Sequence, residues 1–496
     1  MTKKKPAGRL IKALKWLLGL LLAVPAVFYL TFTGLLEITE RQWLGRAPQH
    51  EATNVRLQQP HAWALLDVGA DSLATRLRLI ATAKESIDLE FFIYELDTAS
   101  RLISDALIRR AKEGLRVRVI VDFARPVFKL QPLFAKKLEE AGIEVRYYNT
   151  AGLARFFAIQ HRTHRKILLV DGTSAVVGGR NIGDDYFDLS PHYNFLDSDV
   201  LISGPIVRSI AASFALYWES QWIARPDSLS PGNTSTETLA ATAQSPAAGL
   251  WLQGNSGDST LAATLTGGAP MHQTHQCDDV QFVTDHPGPG VERRLVFQEI
   301  SRLAREAHKI IRLESPYVVL RADGLQVVHG LVDRGVSLQI LTNGLYSTDA
   351  YYTVAALLPT LDTLRRERLQ LYAYNGLELP SQNGRPTQST DGVAPSRWGI
   401  HAKRAVFDDQ VVVVGTYNID PRSANLNSEL MLVCRGNSQL AREAAESFDS
   451  RLQQATPILG TENDEGRAGL LKGADRRKIF ITYAVMPLAW LLDFLL

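Results

Sequence analysis

Apolar and polar positions alternate in a recurring order along this chain. In KESIDLEFFIYELD (84–97) a helix end gives way to a strand, and AHKIIRLESPYVVL (307–320) repeats that order, with Glu90 and Glu314 at matching places. LIRRAKEGLRVRVIVDF (107–123) and VHGLVDRGVSLQILTNG (328–344) each read as an amphipathic helix, a glycine near its end (Gly114, Gly335) and a strand. LEEAGIEVRYYN (138–149) and LRRERLQLYAYNG (364–376) read as helix, connector and strand. Strands alternating with helices predict an α/β fold with a mixed sheet, present twice.

Each series ends on the same polar signature. HRTHRKILLVDGTSAVVGGRN (161–181) and HAKRAVFDDQVVVVGTYN (401–418) both carry His, Lys at +2, Asp at +7, Gly at +14 and Asn at +17. These are His164, Lys166, Asp171, Gly178 and Asn181, then His401, Lys403, Asp408, Gly415 and Asn418. A five-residue match by chance has a probability on the order of 10⁻⁷ per starting position, so the chain contains a repeat. Residues two apart on a strand share a face, which predicts that each His and Lys point together. The pairs 171–172 and 408–409 read as turns, and the valine-rich runs after them as returning strands. Each glycine is expected to let the backbone bend and approach a ligand, and each asparagine to return beside its His and Lys.

At 496 residues the chain exceeds one ordinary core. A net charge of +2 gives no support to a general nucleic-acid binder. Two cysteines make no disulfide framework, and Cys434 is expected as a small buried hydrophobe rather than half of a bridge with Cys277.

The two ends are apolar. Six Lys or Arg residues in the basic segment 1–16 precede an uncharged run, 17–36, whose helix would reach about 30 Å, the hydrocarbon thickness. An uncleaved transmembrane anchor is expected, with a cytoplasmic N-terminus and the rest of the chain beyond the cytoplasmic leaflet. The competing reading is a signal peptide cleaved near Val24-Pro25-Ala26. The tail 476–496, basic and then apolar but broken by Pro487 and Asp493, is expected to lie in the membrane interface, against the alternative of a helix docked on the core. Between the halves, 225–285 is rich in Ser, Thr, Gly, Pro and Ala and reads as a linker or insertion. Its MHQTHQC (271–277) is a polar loop in preference to a metal site. SQNGRPTQSTDGVAPSR (381–397) reads equally as a flap at a site mouth or a plain loop. The domains are then 50–224 and 286–460.

Histidine exchanges protons near neutral pH and is a competent nucleophile. Lysine and asparagine supply charge and fixed donors, as a phosphoryl group in displacement requires. Two histidines suit a two-step reaction at phosphorus: one attacks, while the other protonates the leaving alcohol and then deprotonates the acceptor. With no carboxylate-rich metal cluster beside them, neither metal nor other cofactor is expected. Asp171 and Asp408, seven residues on and at the turn, are assigned to structure rather than chemistry.

The two motifs match, at every position, the His-x-Lys-x4-Asp-x6-Gly-x2-Asn signature of the phospholipase D superfamily. With the flanking GGRNIGDDYF (178–187) and GTYNIDPRSANLNSELMLV (415–433), the chain resembles the bacterial cardiolipin synthase branch over roughly 60–460, and the C-type enzymes in particular. It departs from them in its strong N-terminal anchor and its linker. The resemblance implies two tandem phospholipase D-like domains sharing one site, and metal-independent phosphatidyl transfer through a phosphohistidine on His164, with His401 as acid/base. It also implies that acids orient the histidines, and together with the residue order it assigns Glu429 to His401 and Asp197 to His164. The expected substrates are phosphatidylglycerol and a second phospholipid, at a membrane, with any accessory protein unidentified. The alternatives are a hydrolase that gives the same intermediate to water and, behind it, a membrane-tethered nuclease. Intact His and Lys sets argue against a non-enzymatic scaffold.

Overall fold

A computed structural model describes residues 53–491 apart from 125–129, 131, 151–157, 227–261, 269–271, 290–293, 368 and 377–395, with scattered helical positions between 19 and 35. In chain order the strands of the first half are β1 (Asn54–Leu57), β2 (His61–Leu66), β3 (Ser86–Phe91), β4 (Arg116–Asp122), β5 (Glu144–Tyr148), β6 (Ile167–Val170), β7 (Ser174–Gly178), β8 (Tyr193–Leu196), β9 (Asp199–Ser203) and β10 (Ile223–Ala224). Those that follow are β11 (Thr274–Cys277), β12 (Asp279–Thr284), β13 (Ile310–Glu314), β14 (Ser337–Asn343), β15 (Gln370–Tyr374), β16 (Arg397–Ile400), β17 (Arg404–Phe407), β18 (Val411–Gly415), β19 (Leu430–Arg435) and β20 (Ala455–Leu459).

They form two nine-stranded sheets of one topology. The first runs β10-β5-β4-β3-β6-β7-β9-β2-β11 and the second β20-β15-β14-β13-β17-β18-β19-β12-β1. In each, three parallel strands joined through helices meet an antiparallel series at the strand that follows the His–Lys pair. This is the mixed sheet read from the periodicity.

The halves are less separable than their sequence boundaries suggest. β1, at the start of the first half, pairs with β12 in the second sheet, and β11, inside the expected linker, pairs with β2 in the first. The sequence reading placed 54–57 in the first domain and 274–284 in the linker, and the structure corrects both. An edge strand lowers its free energy by pairing, and the edge open to each segment belongs to the other half. β8 and β16 form a small parallel sheet across the divide. A shared core of Val406, Val412, Val414 and Leu432 against Ile167, Leu169, Val177 and Val200 lies between the two sheets.

Cys277 and Cys434 form a disulfide with Cα atoms 6.1 Å apart. Cys434 is buried, as read from its apolar neighbours. It is nevertheless half of a bridge, because β11 carries Cys277 from the first sheet to face it on β19 of the second, a juxtaposition that a spacing of 157 residues does not encode. The THQC part of the MHQTHQC segment is correspondingly an edge strand rather than a loop. His275 meets Glu443 at 2.5 Å and His272 meets Asp71 at 2.7 Å, so each histidine is held by a carboxylate.

Of 17–36 the described positions are helical but scattered, and segment 1–16 lies outside the described residues. Among the described residues no helix is long and apolar enough to cross a membrane. The C-terminal helix Arg476–Leu491 continues through Pro487. It seats Val485, Met486 and Ala489 against Ala355 and Ala356 of helix Tyr351–Leu357, and leaves Phe480, Tyr483 and Leu488 exposed. It therefore docks on the core along one side while keeping an apolar edge. The 381–395 part of the flap or loop segment lies outside the described residues.

Candidate active site

The two motifs are built alike. Asp171 and Asp409 occupy left-handed turns together with Asp408 and Gly172, with φ between 53° and 63°. The Asp171 carboxylate accepts the backbone N–H groups of Lys84, Glu85 and Ser86 at 2.8–2.9 Å. Asp408 accepts those of His308, Lys309 and Ile310 at 2.7–3.0 Å. Each aspartate thereby fastens the turn to the start of β3 or β13. Burial opposes their charge, but the backbone donors win and hold both carboxyls below the usual range.

Gly178 and Gly415, expected from sequence to let the backbone approach a ligand, stand instead against a neighbouring strand. A Cβ on Gly178 would lie 2.4 Å from Asp199 Oδ1, and one on Gly415 2.4 Å from the Leu430 carbonyl. The glycines admit the next strand at close range instead. Gly179, unflagged by sequence, leaves room for the Asp197 carboxylate in the same way.

His164 and Lys166 sit just before β6, and His401 and Lys403 just before β17, rather than on the strands themselves. Each lysine folds back: Lys166 Nζ donates to the His164 carbonyl at 2.6 Å and Lys403 Nζ to the His401 carbonyl at 2.5 Å.

The carboxylates are exchanged relative to the sequence assignment. His164 Nδ1 lies 3.0 Å from Glu429 Oε2 and 3.1 Å from Oε1, while His401 Nδ1 lies 2.5 Å from Asp197 Oδ2. The backbone repeats the exchange. His164 N donates to the carbonyl of Ser428, next to Glu429, and His401 N donates to that of Leu196, next to Asp197. The acids reach across because the two halves face each other, so the loop leading to β9 or β19 abuts the opposite half's histidine. All six of these side chains are buried.

With acceptors around Nδ1, each neutral imidazole carries its proton there and leaves the Nε2 lone pair free. Thr416 reinforces this at His164: its carbonyl is 3.0 Å from Nδ1 and its hydroxyl donates to Glu429 at 2.5 Å. Sequence reasoning passed over Thr416, which stands beside Gly415 in the motif. Rings fix the imidazole planes: Phe92 stands edge-on to His164, and Tyr186 and Phe195 pack on His401.

Burial, then Lys166 and Lys403, push the His164 imidazolium well below its ordinary value. Burial and Lys403 push His401 down to about 4, against the pull of Asp197. Burial also lowers both lysines, with Lys403 reaching about 8. The two acids differ. Burial raises Glu429 to about 7 despite Lys166. Asp197 is equally buried, but His401, Lys403 and Arg180 overcome that and keep it ionised below the usual range.

Asn181 Oδ1 accepts the Ile93 N–H at 3.1 Å, whereas the buried Asn418 Oδ1 has no hydrogen-bond partner among the described residues. Buried ion networks brace both floors. Arg165 and Thr163 hold Glu90, and Arg404 and Arg451 hold Glu314. The site thus offers two histidine nitrogens, two lysine ammonium groups and two asparagine carboxamides, whose N–H donors and positive charge suit an anionic phosphodiester.

The family model described as cardiolipin synthase, PLD-like domain, matches twice, over residues 77–218 and 300–452. The chain is 26% identical over 470 residues to cardiolipin synthase C of Escherichia coli K12, spanning 86% of this chain and 95% of that protein. It is 28% identical over 365 residues to the major cardiolipin synthase of Bacillus subtilis 168, spanning 73% and 63%. The crystal structure of phosphatidylserine synthase from Haemophilus influenzae Rd KW20 superposes with a TM-score of 0.58 at 14% identity, covering 88% of this chain and 95% of that one, a likeness of fold.

Proposed function

Because this chain belongs to the family of cardiolipin synthases with PLD-like domains, we propose that it forms cardiolipin by moving a phosphatidyl group from one phospholipid to the hydroxyl of phosphatidylglycerol. In the first step His164 Nε2 attacks phosphorus. The P–O bond to the headgroup alcohol breaks, and the protonated His401 gives its Nε2 proton to the leaving oxygen. In the second, the acceptor hydroxyl attacks the phosphohistidine, its proton passes to His401, and the P–N bond breaks. Lys166 and Lys403 balance charge on the phosphoryl oxygens, and the Asn181 and Asn418 carboxamides orient them.

The carboxylate exchange carries this reading. Each catalytic imidazole is held by the half that does not supply it, which ties both histidines to one site. The division of roles follows from the acids. An ionised Asp197 stabilises the imidazolium that His401 becomes as the acid, whereas His164, beside the less acidic Glu429, stays neutral as a nucleophile must. A bound phosphodiester adds the negative charge that raises His401 from its depressed value.

The exposed apolar edge of the C-terminal helix and the run 17–36 support attachment to the bacterial inner membrane, with 17–36 as a single anchor. The Cys277–Cys434 bridge supports placing the catalytic domains on the oxidising, periplasmic side.

The test is incubation of detergent-solubilised full-length protein with phosphatidylglycerol, with and without phosphatidylethanolamine, in EDTA. Cardiolipin as the product supports the proposal. Phosphatidic acid alone shows that water takes the intermediate and overturns it.

A further inference from the structure

Between its helices and sheet the second half carries a groove where the first half buries larger side chains. Helices α1 (Gly69–Thr82) and α3 (Leu295–Glu306) are equivalent, each closed by a C-cap N–H to a carbonyl three residues back, Ala83 to Ile80 and Ala307 to Ala304. Helices α2 (Thr98–Lys112) and α4 (Ala322–Asp333) are likewise equivalent, ending at Gly114 and Gly335, both at positive φ. With the two motifs in register, four large residues of the first core have small counterparts. Leu77 becomes Ser301, Ile80 becomes Ala304, Ile103 becomes Gly324 and Leu168 becomes Ala405. Leu77, Ile80, Ile103 and Leu168 are all buried in one core.

Their four counterparts line two cavities. The outer, about 100 Å³, lies under α3 and α4 against Ile311, Leu313 and Phe407, and includes Ser301, Ala304 and Gly324. The inner, about 40 Å³, includes Ala405 and reaches Lys403 and Gly415. They share Ile300, Leu313, Tyr417 and Ile419, so they form one apolar groove that starts at the catalytic lysine. Leu313 is half-buried there, while its counterpart Leu89 is buried in the first half. Removing this much side chain from a core is destabilising by itself, because the lining loses its packing partners.

We propose that this groove binds an acyl chain of the phospholipid whose phosphate occupies the site. It rests on the phosphatidyl-transfer reading. A glycerophospholipid joins its phosphate to its acyl chains through a few bonds of glycerol, and here an anion-binding lysine and an apolar slot are joined in the same way. The asymmetry gives one lipid a defined seat on the second half only.

The experiment refills the groove with the residues of the first half. Full-length A304I/G324I, and separately A405L, are compared with the wild type on phosphatidylglycerol bearing long or six-carbon chains. Folding is checked by thermal unfolding. The preference for long chains, as kcat/KM, falls about tenfold in a variant that melts at or above the wild-type temperature. In parallel, a phosphatidylglycerol with a diazirine midway along one chain is photolysed on the wild type and on H164A. Labelling within 295–331 is expected in both. Unchanged chain-length preference in folded variants, or labelling only elsewhere, for example in 17–36, overturns the groove. Labelling within 295–331 without cardiolipin formation retains the groove and overturns the transferase reading instead.

Discussion

Glu429, in the second half of the chain, holds the imidazole of His164, in the first, with its carboxylate 3.0 Å from Nδ1. Asp197 returns the contact to His401 at 2.5 Å. Neither histidine is therefore held by its own half, and the candidate site is complete only when the halves are packed together.

Replacing either acid by its amide removes the charge and permits the wrong tautomer. E429Q and D197N are each expected to lower kcat by roughly 10²–10⁴-fold with intact folding. The two differ with a phosphatidyl ester whose leaving group needs no proton. D197N then still releases the first product in a burst and accumulates an acid-labile adduct on His164, whereas E429Q shows no burst. Quenched-flow measurement decides, and equal bursts from both would remove the assigned roles.

Lys403 is lowered to about 8 by burial and is needed as a cation. It loses its proton as pH rises through that value, so kcat/KM should decline above about pH 8. On the acid side, the first step needs the His401 imidazolium, which burial holds down at about 4 in the free enzyme, so kcat/KM should rise rather than fall as pH drops from 7 to 5. A pH profile with its alkaline limb above 10 would contradict the electrostatics described here. K403R, a cation at every accessible pH, should move that limb upward in whatever activity it retains.

D171N and D408N weaken three charge-assisted hydrogen bonds to backbone each, with an expected cost of roughly 1–3 kcal/mol. Folded yield and melting temperature fall, while kcat per folded molecule stays within a few-fold. Full folding with lost turnover would reassign these aspartates to the chemistry.

The Cys277–Cys434 bridge closes a loop of 157 residues and joins the two sheets. C277S, or reduction, should cost about 2–5 kcal/mol of stability. Differential scanning calorimetry with and without reductant measures it. No shift in the oxidised protein's transition on reduction would show that the cysteines are not bridged.

The sequence by itself determined what depends on local order. The repeat, the α/β class, the turns at Asp171 and Asp408 and the candidate set of histidines, lysines and asparagines are all written as periods and offsets, and a period fixes which side chains share an element. Tertiary structure decided what depends on how the halves meet: which acid serves which histidine, where β1 and β11 pair, and that the cysteines face each other. The glycines belong with these, since their need for hydrogen in place of Cβ comes from a neighbouring strand, not from their own turn. Such contacts are made between residues hundreds of positions apart. Their energies come from desolvation and close approach across a buried interface, for which no spacing along the chain is a guide.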